Sequence, residues 1–258
     1  MGLSHSEEKE RIMYRFFIEE SQVDGNLIRI AGEDVNHIKN VLRMKKGEHV
    51  LLSNRRGLEY ECELEDLEGN RGISARILDI HGVESELCER IILFQGLPKG
   101  DKMELVIQKA VELGASEIVP VKMKRCVVKL DDKKAKKKLE RWNAIALGAA
   151  KQSKRGVIPE VSRVLTFEEA VKRAEGLSVL LVPYEAAEGM EYSRKLIRKT
   201  KGKDSIGIFI GPEGGFEPSE IERLKEAGGR VLSLGRRILR TETAGMAMLS
   251  VLMFELEE

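Results

Sequence analysis

The chain has little of what usually advertises chemistry. Its 258 residues hold three cysteines, Cys62, Cys88 and Cys126, far apart and without a CxxC pair. That spacing excludes a disulfide framework and a thiolate zinc site, and no metal is expected. The four histidines, His5, His37, His49 and His81, all fall in the first third. No apolar run approaches the roughly 20 residues that span a bilayer. The opening "MGLSHSEEKER" lacks the apolar core of a secretion signal and reads as a disordered lead over residues 1–12. A cytoplasmic protein without a membrane partner is the expectation.

Charge of one sign is lacking overall, since the net charge is only +1, but it is unevenly placed. Between Lys129 and Arg155 there are ten Lys/Arg and three acids, which leaves 34 basic and 40 acidic residues elsewhere. A basic island on an acidic body is a candidate polyanion footprint. A solvated lysine-rich helix face is the plain alternative.

The hydrophobic pattern divides the chain near "HGVESELCE". Before it, "YRFFI", "NLIRIAG", "EHVLLSN", "LEYECELEDL" and "GISARILDI" are short β-like segments with glycine between them, which suggests a small barrel. "EDVNHIKNVLR" interrupts them as a helix with Val35, Ile38 and Leu42 on one face. After the boundary, strands alternate with helices. "RIILFQGL", "SEIVPVKM", "LSVLLVPYE", "SIGIFI" and "RVLSLG" are strands. "GDKMELVIQKAVELGA" is a helix with Met103, Val106, Ile107, Ala110 and Val111 on one face. Further helices run from about Lys134 to Lys151, over "MEYSRKLIRK", over "PSEIERLKEAGG", and from near Thr241. Five such strands predict a parallel α/β sheet covered on both faces, with ligands beyond the carboxyl ends of the strands.

"IGIFIGPEGGFEPSEIERL" has the strand, glycine turn and helix of a phosphate site, yet lacks its chemistry. No Lys-Ser/Thr follows the glycines, and their spacing at 211, 214 and 215 is not G-x-G-x-x-G. Pro212 removes an N–H donor, and Glu213 puts negative charge where phosphate would lie. What remains is a turn for close backbone approach to a neutral or cationic ligand, or simply a tight strand-to-helix turn.

"LSLGRRILRTETAGMAMLSVLMFEL" closes the chain. After Gly235 come three arginines and a polar "TET", with Thr241 or Thr243 as a candidate helix cap. The helix that follows is apolar almost all round, which suggests burial on several faces and a homodimer interface. If the strands before these two loops are neighbours, the loops share one crevice.

"FIGPEGGFEPSEI" together with "LSLGRRILRTETA" resembles the signature pair of the RsmE-type ribosomal RNA methyltransferases of the SPOUT superfamily. "QGLPKGDKMELVIQKAVELGASEIVPVKMKRCVVK", "KKLERWNAIALGAAKQSKRGVIPEV" and "RFFI…DVNHIKNVLRMKKGEHV" extend the likeness over nearly all of residues 14–256. Departures stand at Cys126, Lys151, Lys154 and Arg236, none of them in the glycines or in "ILRTETA". The resemblance implies a PUA-like RNA-binding β-barrel over 13–82 and a SPOUT domain over 83–258, an α/β parallel sheet with a C-terminal trefoil knot. It implies a homodimer that uses S-adenosylmethionine to methylate N3 of one uridine in 16S ribosomal RNA, as free RNA or in the small subunit.

By the same resemblance the cofactor would lie among Val182, Pro183 and Glu185, then Ile210, Gly211 and Gly214, then Leu234, Gly235, Ile238 and Leu239. For each leucine taken singly, ordinary core is the competing reading. With no histidine after residue 81, the base is a carboxylate, a water or a histidine delivered from the barrel, and an arginine stabilising the developing uridinate is favoured as the catalytic group. Arg240 is the first candidate. Arg155 is the second, from the same chain or its partner. Glu242 is a candidate base or a structural helix-start carboxylate. RNA contacts are expected from Arg15, Arg43, Arg125, Lys133, Lys134 and Lys137.

Overall fold

The computed structural model describes residues 13–67, 72–83, 85–128, 132–185, 187 and 189–257, the side chain of Asp132 excepted. The lead expected over residues 1–12 lies outside the described residues. The chain divides into two compact units, Met1–Ser85 and Glu86–Glu258.

The first unit runs β1 (Tyr14–Phe17), a 3-10 turn, β2 (Val23–Asp24), β3 (Leu27–Ile30), α1 (Glu33–Asn36), a π-helical turn (His37–Val41), β4 (His49–Ser53), β5 (Leu58–Asp66) and β6 (Ile73–Gly82). Its sheet has the order β1-β4-β5-β6-β3-β2. Only the β1–β4 pairing is parallel. Period-two alternation explains the core: Tyr60, Cys62 and Leu64 point inward while Glu61, Glu63 and Glu65 stay half-buried on the other face. Ile38 of the helical turn is fully buried against them, with Val35 and Leu42 packed at its edge. The segment predicted as one helix is thus a single α turn that widens into a π turn, and it still presents the predicted face.

The second unit continues with β7 (Arg90–Gly96), α2 (Lys102–Glu112), β8 (Glu117–Lys122), α3 (Asp132–Gln152), β9 (Glu160–Val161), β10 (Leu165–Thr166) and α4 (Phe167–Ala174). Then come β11 (Val179–Pro183), α5 (Met190–Arg198), β12 (Ser205–Ile210), α6 (Pro218–Glu226), β13 (Arg230–Leu232) and α7 (Thr241–Leu256). The sheet order is β10-β8-β7-β12-β11-β13, with β9 also on β8. Every pairing in it is parallel. The central strands β7 and β12 are apolar on both faces, as a sheet covered on both sides requires.

Two features differ from expectation. The strands β12 and β13 are not neighbours, because β11 lies between them. α4 was not predicted, although its start carries a complete capping box, in which Glu169 N–H donates to Thr166 Oγ1 and Thr166 N–H to Glu169.

Candidate active site

Because all strands of the second unit run the same way, the loops after β11, β12 and β13 emerge on one edge of the sheet. They enclose a cavity of about 520 Å³. Pro183, Tyr184 and Glu185 come from the first loop, Ile210 to Phe216 from the second, and Ser233 to Gly235 and Arg237 to Thr241 from the third. The shared crevice therefore forms even though β12 and β13 do not touch, since β11 contributes the middle wall.

Of the glycines in the β12 loop, two are required by the protein's own packing. A Cβ on Gly214 would stand 2.9 Å from Arg125 Cβ, and one on Gly211 would stand 3.2 Å from both the Gly215 carbonyl carbon and the Phe216 ring. Gly215 takes a positive φ of 70°, and its N–H is spent on Pro212 O at 2.9 Å. Across the sheet edge, Gly96 ends β7 so close to the loop that a Cβ would lie 2.6 Å from Pro212 N.

Glu213 does not project its charge freely. It accepts the Lys99 N–H at 3.0 Å and pairs with Lys102 Nζ at 3.3 Å. Burial pushes its carboxyl pKa upward, but the Lys99 N–H, its own N–H and Lys102 outweigh that and hold it below the usual value. Lys102 also reaches Glu242 at 3.4 Å. One ammonium at the start of α2 thus ties the β12 loop to the first turn of α7.

Thr241 or Thr243 was expected as the cap of α7. Instead the cap position is Arg240, without a side-chain bond. The Thr241 hydroxyl donates to Gly211 O at 2.6 Å and accepts from Gln95 Nε2 at 2.8 Å. These buried bonds lock the β13 loop onto β7 and the glycine loop.

Arg240 lines the cavity and is exposed, as is Arg237, which sequence reasoning did not single out. Leu234 and Leu239 line it half-buried, and Ile238 lines it while 85% exposed. Pro183, Glu185, Ile210, Gly211, Gly214 and Gly235 also line it. Val182 does not. It is fully buried in the apolar core beside β13. Tyr184, Lys102, Phe216 and Ala244 complete the wall and were missed. Their only sequence signal was position: Tyr184 at the end of a predicted strand, Phe216 between a predicted strand and helix, and Lys102 and Ala244 near helix starts.

Arg155 must be corrected. It is only 4% exposed and bonds Glu86 through Nε and Nη2. Its Nη1 donates to Val111 O and Ala115 O. It fastens the end of α3 to the end of α2, with four of its five N–H donors spent on these internal partners. Glu242 lies in the first turn of α7, held by Lys102, which supports the structural alternative.

Among the proposed RNA contacts, Arg15 is also corrected. Its guanidinium is committed to the buried Glu59, at 2.5 Å and 3.0 Å, and is not a free surface cation. Arg43 is exposed at a positive φ of 54°. Arg125 is exposed but bonds Glu217 at 2.6 Å and Gly214 O at 2.9 Å, so it buttresses the glycine loop. Lys133, Lys134 and Lys137 are exposed on the first turns of α3. Lys129 and Asp131 of the basic island lie outside the described residues. Among the described residues, no group of three His, Cys, Asp or Glu side chains could hold a metal ion.

Family models match both parts of the chain. Residues 84–253 fit an RNA methyltransferase domain and residues 30–78 an RNA methyltransferase PUA domain. The ribosomal RNA small subunit methyltransferase E of Bacillus subtilis is 40% identical over 95% of this chain and 98% of its own. That of Mesomycoplasma hyopneumoniae is 33% identical over 92% and 98%. Among solved structures, the Neisseria gonorrhoeae ribosomal RNA small subunit methyltransferase E bound to S-adenosyl methionine is 33% identical, with a TM-score of 0.76 over 92% of this chain and 95% of that one. A putative methyltransferase from Legionella pneumophila, in complex with the same cofactor, is 33% identical with a TM-score of 0.77 over 93% and 96%.

Proposed function

The chain belongs to the ribosomal RNA small subunit methyltransferase E family, and on that premise we propose that it methylates N3 of one uridine in 16S ribosomal RNA with S-adenosylmethionine. The observation that carries this is the three-loop cavity with Arg240 at its rim.

The lining fits this cofactor rather than a nucleotide phosphate. A cavity of about 520 Å³ suits a small molecule. The glycine loop offers no phosphate cradle, since Pro212 has no N–H, the Gly215 N–H is spent internally, and Glu213 stands beside it. Ile210, Leu234, Ile238 and Leu239 supply apolar surface for an adenine ring. Pro183, Glu185, Gly211, Gly214 and Gly235 supply backbone and charge at the remaining walls. When bound, the cofactor supplies a methyl group made electrophilic by its sulfonium.

The chain's own contribution is positioning and charge. A held target nitrogen gains roughly 7–11 kcal/mol over free encounter. Arg240, with Arg237 beside it, places positive charge where the uracil oxygens gain negative charge as N3 loses its proton. The second unit has no histidine, so the proton leaves to water, to a carboxylate at the cavity or to a histidine delivered from the first unit.

The same reading gives residues 13–82 and 83–258 the roles of RNA-binding and methyltransfer domains in a cytoplasmic homodimer, with a trefoil knot in the second. The Thr241 bonds to Gly211 O and Gln95 hold the segment after β13 against the glycine loop and β7, as a threaded C-terminal segment would require. The dimer is supported by α7, which buries Met248, Leu249 and Leu252 yet leaves Val251 41% and Phe254 86% exposed.

A thermal-shift series tests the cofactor assignment. S-adenosylmethionine at about 100 Kd stabilises the fold by about 2.7 kcal/mol, while ATP and NAD do nothing. Stabilisation by ATP or NAD in its place would overturn it.

A further inference from the structure

The second unit has another cavity at the same edge of the sheet, and the cofactor reading leaves it unused. It measures about 400 Å³ and is lined by Leu97 just past β7, Lys122 at the end of β8, and Arg163 to Thr166 before and in β10. Its floor is aliphatic, formed by Leu97, Leu165, Val164, Val128 and Leu139. Its rim is cationic: Lys122, Lys136 and Arg163 are all exposed. Glu169 bonds Arg163 at 2.8 Å and offsets part of that charge. An aliphatic floor with a cationic rim is the complement of a nucleotide, whose base is flat and largely apolar on its face and whose phosphate is anionic.

The position of the cavity connects it to the cofactor site. The first cavity centres on β11 and this one on β8, which is three strand spacings away, about 14 Å at ~4.8 Å each. The segment from Arg125 to Val128 joins them, with Arg125 packed on Gly214 of one and Val128 lining the other. The lysine-bearing first turns of α3 continue the rim outward.

We propose that this cavity is a subsite for a nucleotide flanking the methylated uridine, its base seated on the aliphatic floor and its phosphate held by Lys122, Lys136 and Arg163. The subsite rests on the RNA methyltransferase reading. It gives that reading a substrate-register role: a single-stranded RNA is held at two points along one sheet edge, which sets the base that reaches the cofactor. Single-stranded segments are recognised by splayed bases in this way.

The test uses the full chain, small-subunit ribosomal RNA, and two kinds of variant. One replaces Lys122, Lys136 and Arg163 together by Gln. The other, Ala135→Phe, fills the cavity from α3, where Ala135 lines it. The charge variant is expected to lower the slope of log K against log salt by about 0.7, the value for the one phosphate contact it removes from a single strand. Both variants are expected to raise KM for RNA about tenfold and to leave kcat and thermal stabilisation by S-adenosylmethionine unchanged. If Ala135→Phe fails that stabilisation check, Ala135→Leu takes its place. Unchanged RNA affinity and salt slope in the charge variant would overturn the subsite. So would unchanged KM in the filled variant, because charge alone would then explain binding. A wild-type protein that bound the cofactor but no RNA would instead overturn the underlying reading.

Discussion

Arg155 and Arg240 show what a residue's letter leaves open. Both were arginines near polar turns, and both qualified as catalytic candidates. Only the packing separates them: Arg155 is surrounded by Glu86 and two carbonyls, while Arg240 is exposed at a cavity rim. Their alanine variants should therefore fail in opposite ways. Arg155→Ala leaves Glu86 with the Gly156 and Val157 N–H groups but without its countercharge, and should cost about 3 kcal/mol in urea unfolding. Arg240→Ala should keep its stability and its cofactor binding while the methylation rate falls about 10²–10³-fold. A normal rate in Arg240→Ala would remove it from the chemistry. The glycines repeat the lesson. Their clustering at 211, 214 and 215 marked a tight site, but the close neighbours of two of them are Arg125 and Phe216 from the protein itself.

Among elements, the long periodic ones were legible and the short ones were not. Every residue named for the buried face of α2 is buried there, because eleven residues give the 3.6 period room to show. β2, β9 and β10 have two residues each, too few for alternation to register. α4 was overlooked despite the "TFEE" capping pattern, which is a local signal independent of length. The loops are joined by charge. Lys102 at the start of α2 holds Glu213 and Glu242, so the cofactor walls depend on ionised carboxylates. Because the folded-state pKa of Glu213 is lowered, its contribution is complete above the unfolded value near 4.5 and is lost as pH falls through the lower folded value. The stability difference between wild type and Glu213→Gln should be flat above about pH 5 and should shrink in acid. A difference that grew in acid would contradict the ion-pair role.

At the scale of the molecule, alternating strands and helices predicted the parallel sheet but not its order. Placing β11 between β12 and β13 is a long-range decision with no local signature, and it makes the β11 loop the middle of the three walls. The uniformly apolar α7 did carry long-range information: one face is buried in its own unit, and Val251 and Phe254 remain exposed on another. Covering one large side chain is worth roughly 1.5–3 kcal/mol. If the proposed dimer forms through this face, the wild type sediments as a dimer and Phe254→Asp as a monomer; a monomeric wild type would contradict the dimer, and a dimeric Phe254→Asp would contradict this face as its interface. The most direct test of the whole account is transfer of labelled methyl from S-adenosylmethionine to small-subunit ribosomal RNA, followed by mass mapping of the digested product. The account predicts one labelled nucleotide, an N3-methyluridine, at a single position. Label on another atom or base, or none on RNA or assembled subunits, would contradict it.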